Sequence, residues 1–150
     1  MRIDLELMRF KDLLNVKREN DKRFIFDPIR KKWLVLQPEE MVRQLAIHYL
    51  VEEKGYSIAR INVEKGLKVN TLNKRFDLLV YDSSFLPFML IECKAPQVPI
   101  SQDTFRQASW YNMPLKVRYI LVTNGLESYC CALDYERHDY EFLDAVPDLD

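Results

Sequence analysis

Apolar positions along the chain follow two different periods. From Pro38 to about Lys54 they recur at helical spacing, with Val42, Leu45, Ala46 and Tyr49 forming one stripe. Pro38 at the start, Glu39 and Glu40 in the first turn and Gly55 as a stop predict a helix over 38–54. Strand-like runs follow at about 57–64, 75–82 and 88–94. A loop over 69–73 separates the first two, and Asp82-Ser83-Ser84 turns the second into the third. Ser101 predicts the N-cap of a second helix to about Asn112, ended by Met113-Pro114. Residues 118–123 read as a strand closed by the Asn124-Gly125 turn, with short strands at 129–133 and 140–143.

The first 23 residues fit two descriptions. Ile3, Leu7, Phe10 and Leu14 keep helical spacing, while 14–17 and 23–26 around the polar 18–22 stretch fit a hairpin equally well. Asp27-Pro28 marks a turn, and residues 33–36 read as a short strand. No repeat, low-complexity segment or Pro/Gly-rich linker divides the chain. The expectation is one α/β domain with the order helix, three strands, helix, strand. Short turns between the middle strands predict a mixed sheet, with short extra strands at both ends. Residues 1–37 form an N-terminal extension, 38–125 the core, and 126–150 a β extension with an acidic tail.

Composition narrows the class without naming a function. The 150 residues are 48% hydrophobic and 30% charged, ordinary for a globular domain with a real core. No apolar run approaches the roughly 20 residues of a membrane span, and Met1-Arg2-Ile3-Asp4 does not open a signal peptide. Cys93, Cys130 and Cys131 have neither metal-type nor disulfide-type spacing, which predicts buried reduced thiols in a cytoplasmic protein. Residues 127–150 carry eight acids against Arg137 alone, a net of −7, so the other 126 residues carry +6. A mildly basic body suits contact with a polyanion; a solvated acidic tail without function fits the same numbers.

The candidate chemistry lies at the polar ends of two apolar runs. In an extended segment alternate side chains share a face, so Glu92 and Lys94 project together and Cys93 points the other way with Met89 and Ile91. Asp77 shares its face with Leu79 and Tyr81. If the two strands pair so that Asp77 lies beside Glu92, two carboxylates and an ammonium converge. Such oxygen donors suit magnesium or manganese, and the lysine can orient water or steady charge on a phosphate. A cross-strand salt bridge on a solvated face is the plain alternative, worth under about 1 kcal/mol. The apolar run 85–91, interrupted only by Pro87, weighs against it because such a strand looks central.

Asp77 followed fifteen positions on by Glu92-Cys93-Lys94 resembles the PD-(D/E)xK nuclease signature, with Phe76 standing where the proline would be. Further segments resemble the N-terminal domain of type I restriction enzyme R subunits: Phe26-Asp27-Pro28-Ile29-Arg30-Lys31-Lys32-Trp33, Pro38-Glu39-Glu40-Met41-Val42-Arg43-Gln44, Lys74-Arg75-Phe76-Asp77 and Leu121-Val122-Thr123-Asn124-Gly125. The resemblance implies a restriction-endonuclease-like core that hydrolyses DNA phosphodiesters with Mg2+, for which Mn2+ can substitute. It implies Asp77, Glu92 and the main-chain carbonyl of Cys93 as metal ligands and Lys94 as the group contacting water or phosphate.

Glu40 matches the auxiliary acid that such nucleases set beside the metal, although a first-turn acid also has a purely electrostatic reason to be there. Gln107 and Tyr111, four apart on the second helix, resemble a Gln-x-x-x-Tyr motif that contacts nucleic acid; a polar helix face explains them equally well. Lys74-Arg75 and Arg30-Lys31-Lys32 are candidate phosphate contacts. His48 and His138 stand far apart without supporting ligands and are expected to be structural or surface groups. No Gly-rich phosphate loop is present, so a helicase or specificity subunit would be a separate partner. A homodimer is the other expected assembly, since cutting two strands calls for two sites. A non-catalytic nucleic-acid-binding module with the same fold is the alternative function.

Overall fold

The computed structural model describes residues 2–63, 66–69, 72–75, 77–112 and 115–149. Both N-terminal readings are realised, one after the other. Residues Leu7–Leu13 form a 3-10 helix, and β1 (Val16–Glu19), β2 (Lys22–Asp27) and β3 (Lys32–Val35) form an antiparallel sheet of their own. Asp27 makes the β2–β3 turn, its Oδ1 accepting the N–H groups of Ile29 at 2.8 Å and Arg30 at 3.0 Å.

Helix α1 (Pro38–His48) starts where predicted, with Pro38 in its first turn. It continues as a π-helical turn, Tyr49–Glu53, and Gly55 follows at φ 69°. The predicted stripe of Val42, Leu45, Ala46 and Tyr49 is buried together with Ile47 and Leu50.

The main sheet has six strands in the order β11-β10-β9-β8-β7-β4. Its members are β4 (Ile61–Val63), β7 (Leu78–Tyr81), β8 (Pro87–Cys93), β9 (Tyr119–Thr123), β10 (Ser128–Asp134) and β11 (Asp139–Leu143). Helix α2 (Gln102–Asn112) makes the crossover from β8 to β9, the one parallel pair in a ladder otherwise antiparallel among the described residues. The mixed α/β sheet is therefore as expected.

Two expectations between β4 and β7 are corrected. The run over 57–64 is a 3-10 turn, Ile58–Arg60, followed by a three-residue strand, because only Ile61, Asn62 and Val63 find partners on β7. The run over 75–82 is two strands, not one. β5 (Gly66–Val69) and β6 (Leu72–Arg75) pair with each other as a separate hairpin in place of the expected loop, and the chain bends at Asp77 before entering the main sheet. Residues 64, 70, 71 and 76, which the expected runs and loop included, lie outside the described residues, as does the expected helix stop at 113–114.

The sheet separates two cores by alternation, except that Phe88, the extra residue at the β7–β8 bulge, joins Met89 in the α1-side core. Leu78, Val80, Met89, Ile91, Cys93, Leu121 and Cys130 face α1 and the N-terminal 3-10 helix; Leu79, Leu90, Ile120, Val122 and Cys131 face Phe105 of α2. Strand β8 is buried along its whole length after Pro87, which makes it central rather than an edge. All three cysteines are buried free thiols. Among the described residues no helix is long and apolar enough to cross a membrane.

The turn after β9 is built around Asn124 and Gly125. Asn124 Oδ1 accepts the N–H groups of Leu126 (2.9 Å) and Glu127 (2.7 Å), while its Nδ2 donates to the carbonyl of Val98 at 2.8 Å. Gly125 has φ 92°, and a Cβ there would stand 3.3 Å from Cγ2 of the buried Val42. Both the left-handed backbone and the close approach to α1 exclude a side chain. Gly125→Ala is expected to destabilise the fold by about 1–2 kcal/mol, read as a lowered thermal midpoint. Gly55→Ala, at φ 69° with nothing within 4 Å, should show the backbone strain alone and a smaller loss.

Candidate active site

The pairing of β7 with β8 decides which polar groups meet. Leu78 lies opposite Ile91 and Leu79 opposite Leu90. The ladder stops there, and Asp77 stands at the bend one residue before it, near enough to the end of β8 for the charge of Glu92 to act on it. Asp77 Oδ2 accepts the backbone N–H of Cys93 at 2.7 Å, which ties the bend at 77 to the end of β8. Lys94 Nζ lies 3.1 Å from Glu92 Oε1, so these two side chains leave the strand end on one face. The Lys94 N–H donates to the Thr123 carbonyl at 2.9 Å, and the Asn124–Val98 bond holds the loop that follows. An extended residue projects its N–H and C=O to the same side of the strand, which puts the Cys93 carbonyl on the Asp77 side.

These groups occupy the C-terminal end of β8, which pairs antiparallel with β7 on one edge and parallel with β9 on the other. Sequence order alone does not reveal the parallel neighbour; it depends on where α2 returns the chain.

Burial makes both acids expensive to ionise. Glu92 is 8% exposed. Burial, and then the negative charge of Glu92, push the Asp77 carboxyl up to about 7 despite its bond from Cys93 N–H. Burial also raises Glu92, although Lys94 pulls the other way. For Lys94, burial works against the charge, but the Glu92 carboxylate more than offsets it, and the ammonium is held above its ordinary range. The Cys93 thiol, fully enclosed, is raised well above its usual value and is no nucleophile.

Glu40 does not point its oxygens at this pair. Gln44 Nε2 donates to its Oε2 at 2.8 Å, Arg43 forms an ion pair with its Oε1, and Arg30 Nη2 stands 3.7 Å from the same oxygen. Arg30 in turn binds Asp27 Oδ2 through Nε at 2.6 Å. The first-turn acid whose charge acts on Asp77, Glu92 and Lys94 is the neighbouring, exposed Glu39. Arg43 supplies positive charge to Asp77 from behind. Neither role is visible in the run Pro38-Glu39-Glu40-Met41-Val42-Arg43, where both acids occupy equivalent first-turn positions.

The remaining candidates sit on other elements, some with side chains outside the described residues. Gln107 is exposed on α2. The side chains of Tyr111, Lys74 and Arg75 lie outside the described residues. His48, half-buried, has its pKa lowered by burial, and His138 is exposed in the β10–β11 turn.

Asp77 and Glu92 offer hard oxygen donors of the kind magnesium takes. Among the described residues no cluster of three or more His, Cys, Asp or Glu forms a complete metal cage. Magnesium commonly takes one or two carboxylates and completes its shell with substrate phosphate and water, so a two-acid site fits it. Two neighbouring carboxylates that resist ionisation are also what a divalent cation would relieve.

Fold and site together define a mixed α/β domain with paired acids and a lysine at a strand end. The chain belongs to the family described as the type I restriction enzyme R protein N terminus, whose model matches residues 38–147. In structure it is similar to a fragment described as an HsdR subunit of a type I restriction enzyme from Vibrio vulnificus YJ016, with a TM-score of 0.54 and 20% identity. That match covers 75% of this chain and 24% of the fragment, so the chain spans about a quarter of its length and the likeness is one of fold. Among curated proteins, none matches the sequence.

The raised Asp77 gives a signed pH dependence. Its folded pKa of about 7 lies above the ordinary value of 3.8, so the folded state holds the proton more tightly. The contribution is complete below about pH 4 and is lost as pH rises through 7. In metal-free buffer Asp77→Asn is therefore expected to gain about 2 kcal/mol on the native protein between about pH 5 and pH 8. Denaturant midpoints measured at both pH values check this; a constant difference would mean that Asp77 titrates normally.

Proposed function

We propose that this domain is a metal-dependent phosphodiester hydrolase acting on DNA within a restriction system. The observation that carries the reading is the side-by-side placement of Asp77 and Glu92 at the buried end of β8, with Lys94 on the same face. Membership in the R-subunit N-terminal family supports the restriction context, and the oxygen donors support Mg2+, with Mn2+ as a substitute.

Asp77, Glu92 and the Cys93 carbonyl would hold the cation. When bound, it would polarise the scissile phosphate and lower the pKa of an attacking water. Lys94 is kept protonated by Glu92, so its part is to donate hydrogen bonds and stabilise charge developing on the phosphate rather than to accept a proton. Arg43 backs Asp77 with positive charge, and the exposed Glu39, whose charge acts on both acids, is a better candidate than the engaged Glu40 for the auxiliary acid. Gln107 and Tyr111 of α2, with Lys74 and Arg75 of the β5–β6 hairpin, are proposed contacts to the nucleic-acid backbone. Target choice would come from a separate helicase or specificity subunit, or from pairing of two copies of the chain.

A second reading, a nucleic-acid-binding module without turnover, is favoured by one observation. Glu40, which the resemblance would place at the metal, is engaged by Arg43, Arg30 and Gln44 instead.

Incubation with plasmid, single-stranded DNA and RNA, with Mg2+ or Mn2+, separates the two. Cleavage is expected to fall about a hundredfold or more in Lys94→Ala and Glu92→Ala, with circular dichroism unchanged. Full cleavage by either variant sinks the hydrolase reading. Metal-indifferent DNA binding without cleavage by the native chain establishes the module instead.

A further inference from the structure

The β1–β3 sheet lies ahead of the family-matched segment, which begins at residue 38. Its register sorts its side chains cleanly. Ile25 and Asp27 of β2 are fully buried on the inner face. On the outer face, Phe24 lies opposite Lys17 of β1 and Val35 of β3, Phe26 lies opposite Trp33, and Lys22 follows at the strand end.

The apolar members of this face remain open. Trp33 is 38% and Val35 49% exposed, and Phe24 and Phe26 are half-buried. None of the four belongs to either hydrophobic core of the described residues. Phe26 and Trp33 meet edge to face with ring centroids 5.3 Å apart, and Lys17 Nζ sits 4.4 Å above the Trp33 ring. Lys17 also forms an exposed pair with Glu19 at 3.2 Å, a contact too screened to neutralise it.

Charge selects the occupant. Residues 15–36 hold seven bases and three acids, a net of +4 in a chain of −1; Lys17 and Lys22 share the outer face with Glu19, while Arg18, Arg23 and Lys32 alternate to the other face. An open row of aromatic rings on a sheet, flanked by lysines, is the arrangement that stacks unpaired bases while cations follow the backbone. A protein partner would call for an apolar patch with fewer like charges around it. The face also has a fixed relation to the candidate active site. Arg30 bridges Asp27, at the end of β2, to Glu40 in the first turn of α1, next to Glu39.

We propose that the outer face of β1–β3 binds single-stranded nucleic acid, with Trp33, Phe26 and Phe24 as the stacking surface and Lys17 and Lys22 as phosphate contacts. This goes beyond the hydrolytic site and shares with it only the assumption of a nucleic-acid ligand. Binding needs neither Asp77 nor a metal.

The test is fluorescence anisotropy of the whole chain with labelled oligothymidylate and oligouridylate of about 12 nucleotides, in EDTA, across a salt series. The native chain should bind at least one of the two. Trp33→Ala is expected to weaken binding about tenfold. A Lys17→Ala/Lys22→Ala variant, altering only strand-surface lysines, should reduce the salt slope by about one for each phosphate that no longer meets an ammonium.

Unchanged affinity in both variants overturns the proposal, as does failure of the native chain to bind either oligonucleotide at low salt. Sedimentation in which Trp33→Ala dissolves a dimer while oligonucleotide binding persists also overturns it, assigning the face to a second copy of the chain. Cleavage measured in parallel keeps the two readings apart. A chain that binds through Trp33 but never cleaves rejects the hydrolase alone, and one that cleaves normally with Trp33 and Lys17 replaced and no loss of binding rejects the stacking face alone.

Discussion

The candidate site depends on one backbone hydrogen bond, from the N–H of Cys93 to the carboxylate of Asp77. Asp77 stands at a bend just outside β7, where no ladder partner fixes its direction. The bond from the last residue of β8 supplies that direction, and so sets a half-buried acid against Glu92. Two like charges in a place that water scarcely reaches repel each other and resist ionisation together. The resulting arrangement stores an electrostatic cost that a cation would remove, which is how a folded scaffold can be prepared for a ligand before meeting it.

Around this pair, the buried charges of the N-terminal half form a relay of a different kind. Asp27, Arg30, Glu40 and Arg43 run from the turn of the small sheet into the first helix. Asp27 shows how such groups stay charged: burial would raise its carboxyl, yet the bonds from Arg30 and from the backbone of the turn leave it lowered. A relay of this sort contributes less to net stability than to fixing one relative position of sheet and helix. That fixed position engages Glu40 and leaves the exposed Glu39 as the first-turn acid whose charge acts on Asp77 and Glu92.

Much of this was legible from periodicity. The stripe on α1, the alternation along β8 and the turn at Asn124-Gly125 follow from local rules, and they sufficed to set Glu92 and Lys94 on one face. The bend at Asp77 was not legible. Residues 75–82 read as one strand, and only the choice of partner, β5 for β6 and β8 for β7, breaks the run. Glu39 and Glu40 could not be ranked either, because their difference comes from arginines brought in by tertiary contact. Trp33 and Phe26 fall in segments that read as short strands; that they face outward depends on a sheet with only one side covered. Asn124 reads in sequence as a turn residue alone, and its second bond, to Val98 beyond Lys94, has no trace in local sequence.

The β7–β8 hairpin carries a constraint on how such a site can vary. The connection over 82–86 is folded on itself, with Asp82 Oδ1 accepting from the backbone of Ser84 and Leu86, and it touches nothing at the far end of the ladder where Asp77 and Glu92 meet. Residues added there lengthen the interval between the two acids in sequence without moving them in space. A single residue added between the Val80–Met89 pair and the acids, where the register is regular, does the reverse, since it exchanges the residues that face α1 for those that face α2 and drives Glu92 into the wrong core. The interval between the acids is thus elastic from the turn to the bulge at Val80 and Tyr81 and rigid from there to the acids, so related chains can differ widely in spacing and still present the same pair.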